Sequence, residues 1–385
     1  MKIVHICLTG VYTDGYSYQE NLLTRYHKTL GNDVTIIANT KSFKENKVTD
    51  VNPGERIDKN GIKIIRVGYK KHTPKRIAEF FRLYSGLYEK IAQEKPDFIF
   101  IHGLQFIDIK KIAKYAKNNN VKICVDNHAD FSNSATNFIS LNLIHKFLWR
   151  KCEKKIEPYV TKFYGVLPAR VEFLKNVYKT PAKITEYLPM GNDDELRDSI
   201  TSIEKQGLKN KLNISKDDFV IITGGKIDKA KPEFFNLLEA VSEINNKNIK
   251  VLIFGSIIDE YKERFESYLN NNNNLVYLSW LNHEETYEYL SISNIAIYPG
   301  RHSVLWEETV GMGVPIIVKY WNGTTHVNTD DNAIFLKKNT EEELKKIILK
   351  LLNKKEYEHI KKNAEKAKHN FEYTKIAEKT IQDIL

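Results

Sequence analysis

The chain has 385 residues, 42% apolar and 28% charged, which is enough for two ordinary hydrophobic cores and excludes a disordered protein. No apolar run reaches the roughly 18 residues of a membrane-spanning helix, and Cys7, Cys124 and Cys152 show neither metal-ligand spacing nor a disulfide framework. The net charge of +10 favours an acidic partner: anionic lipid, nucleic acid or a phosphorylated substrate.

The opening MKIVHICLTG is β-branched and reads as a first core strand, not a signal segment, so a cytoplasmic protein is expected. A loop with Gly15 and Tyr16 follows, then a helix over 17–31. Its Leu22, Leu23, Tyr26 and Leu30 recur at helical spacing, with Gly31 at the C′ position. Strands are expected at 33–38, 61–67, 97–103, 122–128 and 162–166. Between the second and third of these lies KKHTPKRIAEFFRLYSGLYEK, residues 70–90. Lys70, Lys71, Lys75 and Arg76 gather around Pro74, ahead of a helical face of Ile77, Phe80, Phe81, Tyr84, Leu87 and Tyr88. That face suits either a core-facing helix or contact with an anionic membrane surface.

Residues 188–210, a Pro/Gly/Asp turn and a polar stretch, read as a linker. Beyond it the plan repeats: a strand at 219–225, a helix at 232–244 with Pro232 at its start, and a strand at 250–255. Further strands are expected at 275–280, 295–300, 315–319 and 333–336, with a short helix over 303–312. Strand–loop–helix–strand units in both halves imply an α/β protein of two doubly wound parallel sheets facing across a cleft. The expected domains are 1–190 and 191–365, with a helical segment at 366–385 returning towards the first.

Ligands of such sheets bind outside the carboxyl ends of the strands. His102 and His128 end two of them, where they serve in binding or proton handling or are simple rim residues. In GGKIDKAK the lysines Lys226 and Lys231 can converge on a diphosphate, or form a solvated turn. The loop at 299–304 feeds a helix N-terminus, a natural anion site. Glu308, more than a turn further on, suits hydroxyls attached to that anion. Phosphate plus diol describes a nucleotide. Paired acids such as Asp193/Asp194 and Asp330/Asp331 read as turn residues, and no motif argues for metal.

With these motifs in order, the chain resembles GT-B glycosyltransferases, specifically the retaining glycosyltransferase family 4, over nearly its whole length. GYSYQENLLTRYHKTLGNDVTIIA resembles that family's Gly-rich loop, helix and strand, and DFIFIHG and VDNHAD its strand-end histidine segments. LPMGND resembles its P-N-G-x-D turn, and GGKIDKAK its G-R-x-x-x-x-K-G loop. The resemblance implies two Rossmann-like domains, with Lys226 and Lys231 on the donor diphosphate and His128 beside the reacting sugar carbon. Glu308, the second glutamate of a Glu-x7-Glu motif, would hold the ribose and leave Glu307 as a bystander. Gly300 stands where the first glutamate belongs, so Arg301, His302, Ser303 and Val304 are expected to contact sugar or phosphate. Gly15, Tyr16, Gly225 and Gly255 complete the expected nucleotide-sugar site, with Trp280 near the base, and His102 faces the acceptor.

The implied enzyme is a metal-independent hexosyl- or N-acetylhexosaminyl-transferase with no cofactor. It would move sugar from a UDP- or GDP-sugar to a cell-envelope glycan or lipid-linked acceptor, in the cytoplasm or on the inner face of the cell membrane. The rival readings are an inactive partner subunit, a nucleic-acid-modifying enzyme and a sugar-nucleotide epimerase. The first draws on Gly300 and the second on the net charge.

Overall fold

The computed structural model describes residues 1–44, 47–229 and 231–385. The chain divides into two compact units, residues 1–189 with 374–385, and residues 190–373.

The first unit contains β1 (Lys2–Cys7), β2 (Asp33–Ala38), β3 (Lys41–Lys44), β4 (Lys47–Asp50), β5 (Gly54–Ile57), β6 (Lys63–Arg66), β7 (Phe98–His102), β8 (Lys122–Asn127), β9 (Val160–Gly165) and β10 (Thr185–Tyr187). Eight of them form one sheet in the order β10-β9-β8-β7-β1-β2-β6-β5. Every pairing is parallel except β5 with β6. The central strands are buried apolar runs such as Phe98–His102, as a sheet covered on both faces requires. The order reverses between β7 and β1, so the loops after these two strands diverge and leave a crevice.

The second unit contains β11 (Phe219–Ile227), β12 (Ile249–Ile257), β13 (Leu275–Tyr277), β14 (Ile295–Tyr298), β15 (Ile316–Lys319) and β16 (Ala333–Leu336). Their order is β13-β12-β11-β14-β15-β16, all parallel, with the reversal between β11 and β14. Strands β11 and β12 run further than the sequence suggests, with Gly225 paired to Gly255 at φ +100° and +110°. A Cβ on Gly255 would lie 2.0 Å from the Gly225 oxygen, so this glycine pair permits the close crossing of the strands.

Two expectations need correction, and three strands carried no sequence signal. The helix over 70–90 is two: Lys75–Phe81 ends at Arg82 in the left-handed region, and Leu87–Glu94 starts after Gly86. The expected linker is folded: Asp193 caps the helix Asp194–Ser199, and Thr201 with Glu204 forms a capping box for Ser202–Lys211. The polar hairpin β3/β4 and strand β5 carry too few buried apolar residues to be read as strands.

Candidate functional site

In the second unit the reversal point brings the loop after β11 against the loop after β14. A hollow there is lined by Thr223, Gly224, Lys231, Tyr298, Gly300, Arg301 and Ser303, among others. The Lys231 amide donates to the Asp228 carbonyl at 2.8 Å, turning the side chain inward. Its stem then lies across Gly300, where an added Cβ would meet Lys231 Cγ at 2.8 Å. The missing side chain at Gly300 is thus the space that Lys231 occupies. Burial lowers the Lys231 ammonium below its ordinary value, opposed by Asp228. Its Nζ lies 3.6 Å from where a Cβ on Gly225 would stand. Lys226, the last residue but one of β11, is exposed, with its nearest carboxylate, Asp228, 3.9 Å away. Ala230 lies outside the described residues.

The helix after the hollow spans Leu305–Gly311, shorter than expected. Glu307 is no bystander on an exposed face; it is completely buried. Its Oε1 accepts from His302 Nε2 at 2.8 Å and from His326 Nε2 at 2.7 Å. Burial pushes this carboxyl up, but the two imidazoles outweigh it and hold it at about 2. His302 is therefore engaged inside the unit through Nε2. The three residues bring metal-ligand atoms within 4.8 Å of one another. In the structure the two Nε2 atoms serve as hydrogen-bond donors to Glu307 Oε1.

Glu308 is 4% exposed, and burial pushes its carboxyl up to about 7. Among the described residues nothing donates a hydrogen bond to that carboxyl; the basic group facing it is His283 Nδ1, at 3.9 Å. His283 in turn points Nε2 at Asp193, 3.4 Å away. Asn192 fixes the helix from beneath by donating to the Glu308 main-chain oxygen at 3.0 Å. Gly311 permits this approach, since a Cβ there would fall 2.1 Å from the Asn192 Cβ. Of the expected residues, Lys231, Arg301 and Ser303 line the hollow, whereas His302, Val304 and Glu308 do not. Gly255 is a strand residue whose oxygen accepts from the Tyr277 hydroxyl at 2.9 Å, and Trp280 beyond β13 is exposed.

In the first unit the reversal point opens into a cavity of about 500 Å³. The loop after β1 lines it with Thr9, Gly10, Val11 and Tyr12; His102 and His128 line it from the ends of β7 and β8. Gly15 and Tyr16 lie further along the first loop and off the cavity wall, Tyr16 stacking on Phe43. Behind the histidines sits Asp126, fully buried. Its carboxylate takes His102 Nδ1 at 2.8 Å and the Gly103 amide at 3.0 Å, and lies 3.5 Å from His128 Nε2. Burial opposes its ionisation, but the two histidines win and hold the carboxyl well below its usual range. Asp126 and His283 escaped the sequence reading, although Asp126 stands two residues before His128 in the strand-end segment VDNHAD.

Residues 204–367, within the second unit, match the family described as glycosyl transferases group 1. No curated protein matches the chain by sequence. Among solved structures, a glycosyltransferase from Rickettsia africae is 17% identical with a TM-score of 0.70, covering 99% of this chain and 97% of its own. Sucrose-phosphate synthase from Thermosynechococcus elongatus is 15% identical with a TM-score of 0.69, over 99% and 97%. HepE of Anabaena, solved with UDP and glucose, is 12% identical with a TM-score of 0.67, over 100% and 99%. The fold is GT-B, and with the domain match it supports a GT-B glycosyltransferase.

Proposed function

We propose that the protein is a retaining, metal-independent glycosyltransferase of the family 4 type, which transfers a hexosyl or N-acetylhexosaminyl group from a UDP- or GDP-sugar. The observation that carries this reading is Glu308, a nearly buried carboxyl that has no hydrogen-bond donor among the described residues and stands on the helix leaving the reversal point. A ribose diol supplies the donors it lacks. UDP bound by the Anabaena neighbour is consistent with such a ligand. The diphosphate would rest on Lys231, with Lys226, Arg301 and Ser303 around it. These cations supply the charge neutralisation that a metal supplies elsewhere.

In the reaction the bond from the sugar's anomeric carbon to the phosphate oxygen breaks as the acceptor oxygen bonds to the same face. The acceptor's hydroxyl proton passes to the leaving phosphate, so no carboxylate nucleophile is required. Within the first unit, the cavity lined by His102 and His128 would receive the acceptor. Thermal shifts with a panel of nucleotide sugars test the donor site, since a ligand at a hundred times its Kd stabilises by about 2.7 kcal/mol. Product formed in EDTA with the donor's anomeric configuration is the expected outcome; strict metal dependence or inversion would overturn the mechanism.

Glu308 also makes donor binding pH-dependent. Its folded value of about 7 lies above the ordinary 4.5, so its contribution to stability is full below the ordinary value and lost as pH rises through about 7. Ribose hydroxyls bind the ionised form, so UDP or GDP affinity should rise by up to about tenfold between roughly pH 6 and 8. Glu308→Gln should flatten that profile. Calorimetric titration showing a flat wild-type profile would remove Glu308 from the ribose site.

A lipid-linked or cell-envelope acceptor is part of the proposal. On the helix Lys75–Phe81, Ile77 and Phe80 are exposed, and Phe131, Phe138, Ile139, Leu143 and Phe147 form a second exposed apolar series in the same unit. Phe80 reaches Trp149 at the end of the latter, with ring centroids 6.5 Å apart. Tyr84 and Leu87, by contrast, are core residues. No helix among the described residues is long and apolar enough to cross a membrane. Reversing Lys70, Lys71, Lys75 and Arg76 to Glu should reduce co-sedimentation with anionic liposomes, each basic residue contributing about 1 kcal/mol near the surface. A wild type that ignores such liposomes at low salt would point to a soluble acceptor.

A further inference from the structure

Behind the cavity of the first unit runs a file of imidazoles that the transfer reaction does not use. His102 Nε2 meets His5 Nδ1 at 3.0 Å, His5 Nε2 meets His27 Nδ1 at 2.9 Å, and His27 Nε2 meets Thr380 Oγ at 2.7 Å. His5, His27 and Thr380 are completely buried. Phe98 and Phe100 wall the file. With the Asp126 contact at 2.8 Å, this makes an unbroken hydrogen-bonded line from a carboxylate at the cavity to the carboxy-terminal helix.

The protons along this line are not independent. A carboxylate can only accept, so His102 Nδ1 must carry a hydrogen. If His102 is neutral, its Nε2 accepts, so His5 donates from Nδ1, and its Nε2 must accept from His27 Nδ1. His27 Nε2 is then an acceptor too, and only the Thr380 hydroxyl can supply the last hydrogen. That hydroxyl has a second acceptor, the Ala377 carbonyl at 2.9 Å. When its hydrogen points there, His27 must donate from Nε2, every imidazole hydrogen moves to Nε2, and His102 holds a second hydrogen. The two arrangements differ by one proton, gained at His102.

We propose that Thr380, His27 and His5 are positioning residues that set, through the direction of one hydroxyl hydrogen, whether His102 faces Asp126 as neutral imidazole or as imidazolium. Both arrangements keep His5 and His27 neutral, as their burial demands: desolvation lowers both, His27 to about 3. Across the cavity His102 is faced by Cys7, Glu20, Arg82, His128 and His145. On the terminal helix Lys379 is paired with Asp383 at 2.8 Å. The state of the His102–Asp126 pair then fixes the charge presented to His128.

The test needs no substrate and so stands apart from the proposed activity: nitrogen-15 spectra of histidine-labelled full-length protein across a pH series. In the wild type His5 and His27 should show one protonated nitrogen each at every pH, switching together from Nδ1 to Nε2 as His102 gains its proton. Thr380→Val removes the hydroxyl donor, leaving His27 beside the Ala377 carbonyl, which can only accept. The ratio of doubly to singly protonated His102 at one pH should then rise by about tenfold, the scale of one hydrogen bond, and Thr380→Ser should restore it. His102 titrating alike in wild type and Thr380→Val, with both folded, would overturn the relay. So would His5 and His27 switching at different pH values.

Discussion

Replacing Lys231 by alanine should lower turnover by roughly 10²–10³-fold, the usual cost of removing one preorganised charge from a developing oxyanion. The argument rests on where the ammonium sits. Lys231 is folded over Gly300 into the reversal-point hollow, and burial has already lowered it from its ordinary value. A charge already partly desolvated in the free protein has less solvent to lose when phosphate arrives, so on the proposed reading more of its attraction goes to the leaving group. Lys226 differs, although the sequence places the two lysines on equal terms. It is exposed and screened, so Lys226→Ala should cost only about tenfold. Steady-state kinetics with the donor found by thermal shift decide the matter. Wild-type turnover in Lys231→Ala would remove the residue from the reacting phosphate. Equal losses at both positions would mean that Lys226 is drawn in on binding.

Space at Gly300 also bears on specificity. Gly300→Glu would rebuild the motif that the resemblance leads one to expect, yet its Cβ already meets Lys231 Cγ at 2.8 Å. The Lys231 stem therefore occupies the space where that carboxylate would begin, which is visible only in three dimensions.

What the sequence made legible follows from burial. Strands such as β1, β7, β11 and β14 are continuous apolar runs because parallel sheets cover both faces, and their carboxyl ends marked His102, His128, Lys231 and the 299–304 loop correctly as rims of the reversal points. The polar strands β3, β4 and β5 gave no such signal. Neither did the π-helical stretch Ser140–Trp149, whose widened turns fit no 3.6-residue period. His5 and His27 carry no motif or spacing that marks them in the sequence. Their partners lie 97, 22 and 353 residues away, so tertiary contact alone makes a chain of them. Glu307 escaped the sequence reading for a related reason. Adjacent residues on a surface helix point apart, and one of them should meet water. The helix Leu305–Gly311 is instead buried from Trp306 through Gly311, so both acids need partners: Glu307 finds two imidazoles, and Glu308 finds no hydrogen-bond donor among the described residues.

Glu307→Ala should therefore be among the most damaging single changes in the second unit, destabilising it by about 3–5 kcal/mol, the range for breaking a buried ionic pair from one side. Two imidazoles, His302 and His326, donate to the one oxygen that alanine deletes, and both would be left facing a cavity in the interior. Glu307→Gln keeps a carbonyl oxygen in place and should lose only about 1–2 kcal/mol, the difference between charged and neutral acceptors. The two variants separate hydrogen bonding from charge. The acid limb separates them again. Glu307 is held at about 2, below the ordinary 4.5. Its contribution is present above the ordinary value and drains away as pH falls through about 2, so the wild type should lose stability steadily over that interval while Glu307→Gln has that loss removed. Denaturant midpoints of the three proteins at neutral pH and along the acid limb supply the comparison. If Glu307→Ala unfolds at the wild-type midpoint, the His302–Glu307–His326 contacts contribute nothing to the fold, and His302 is released to the sugar site where the sequence first placed it.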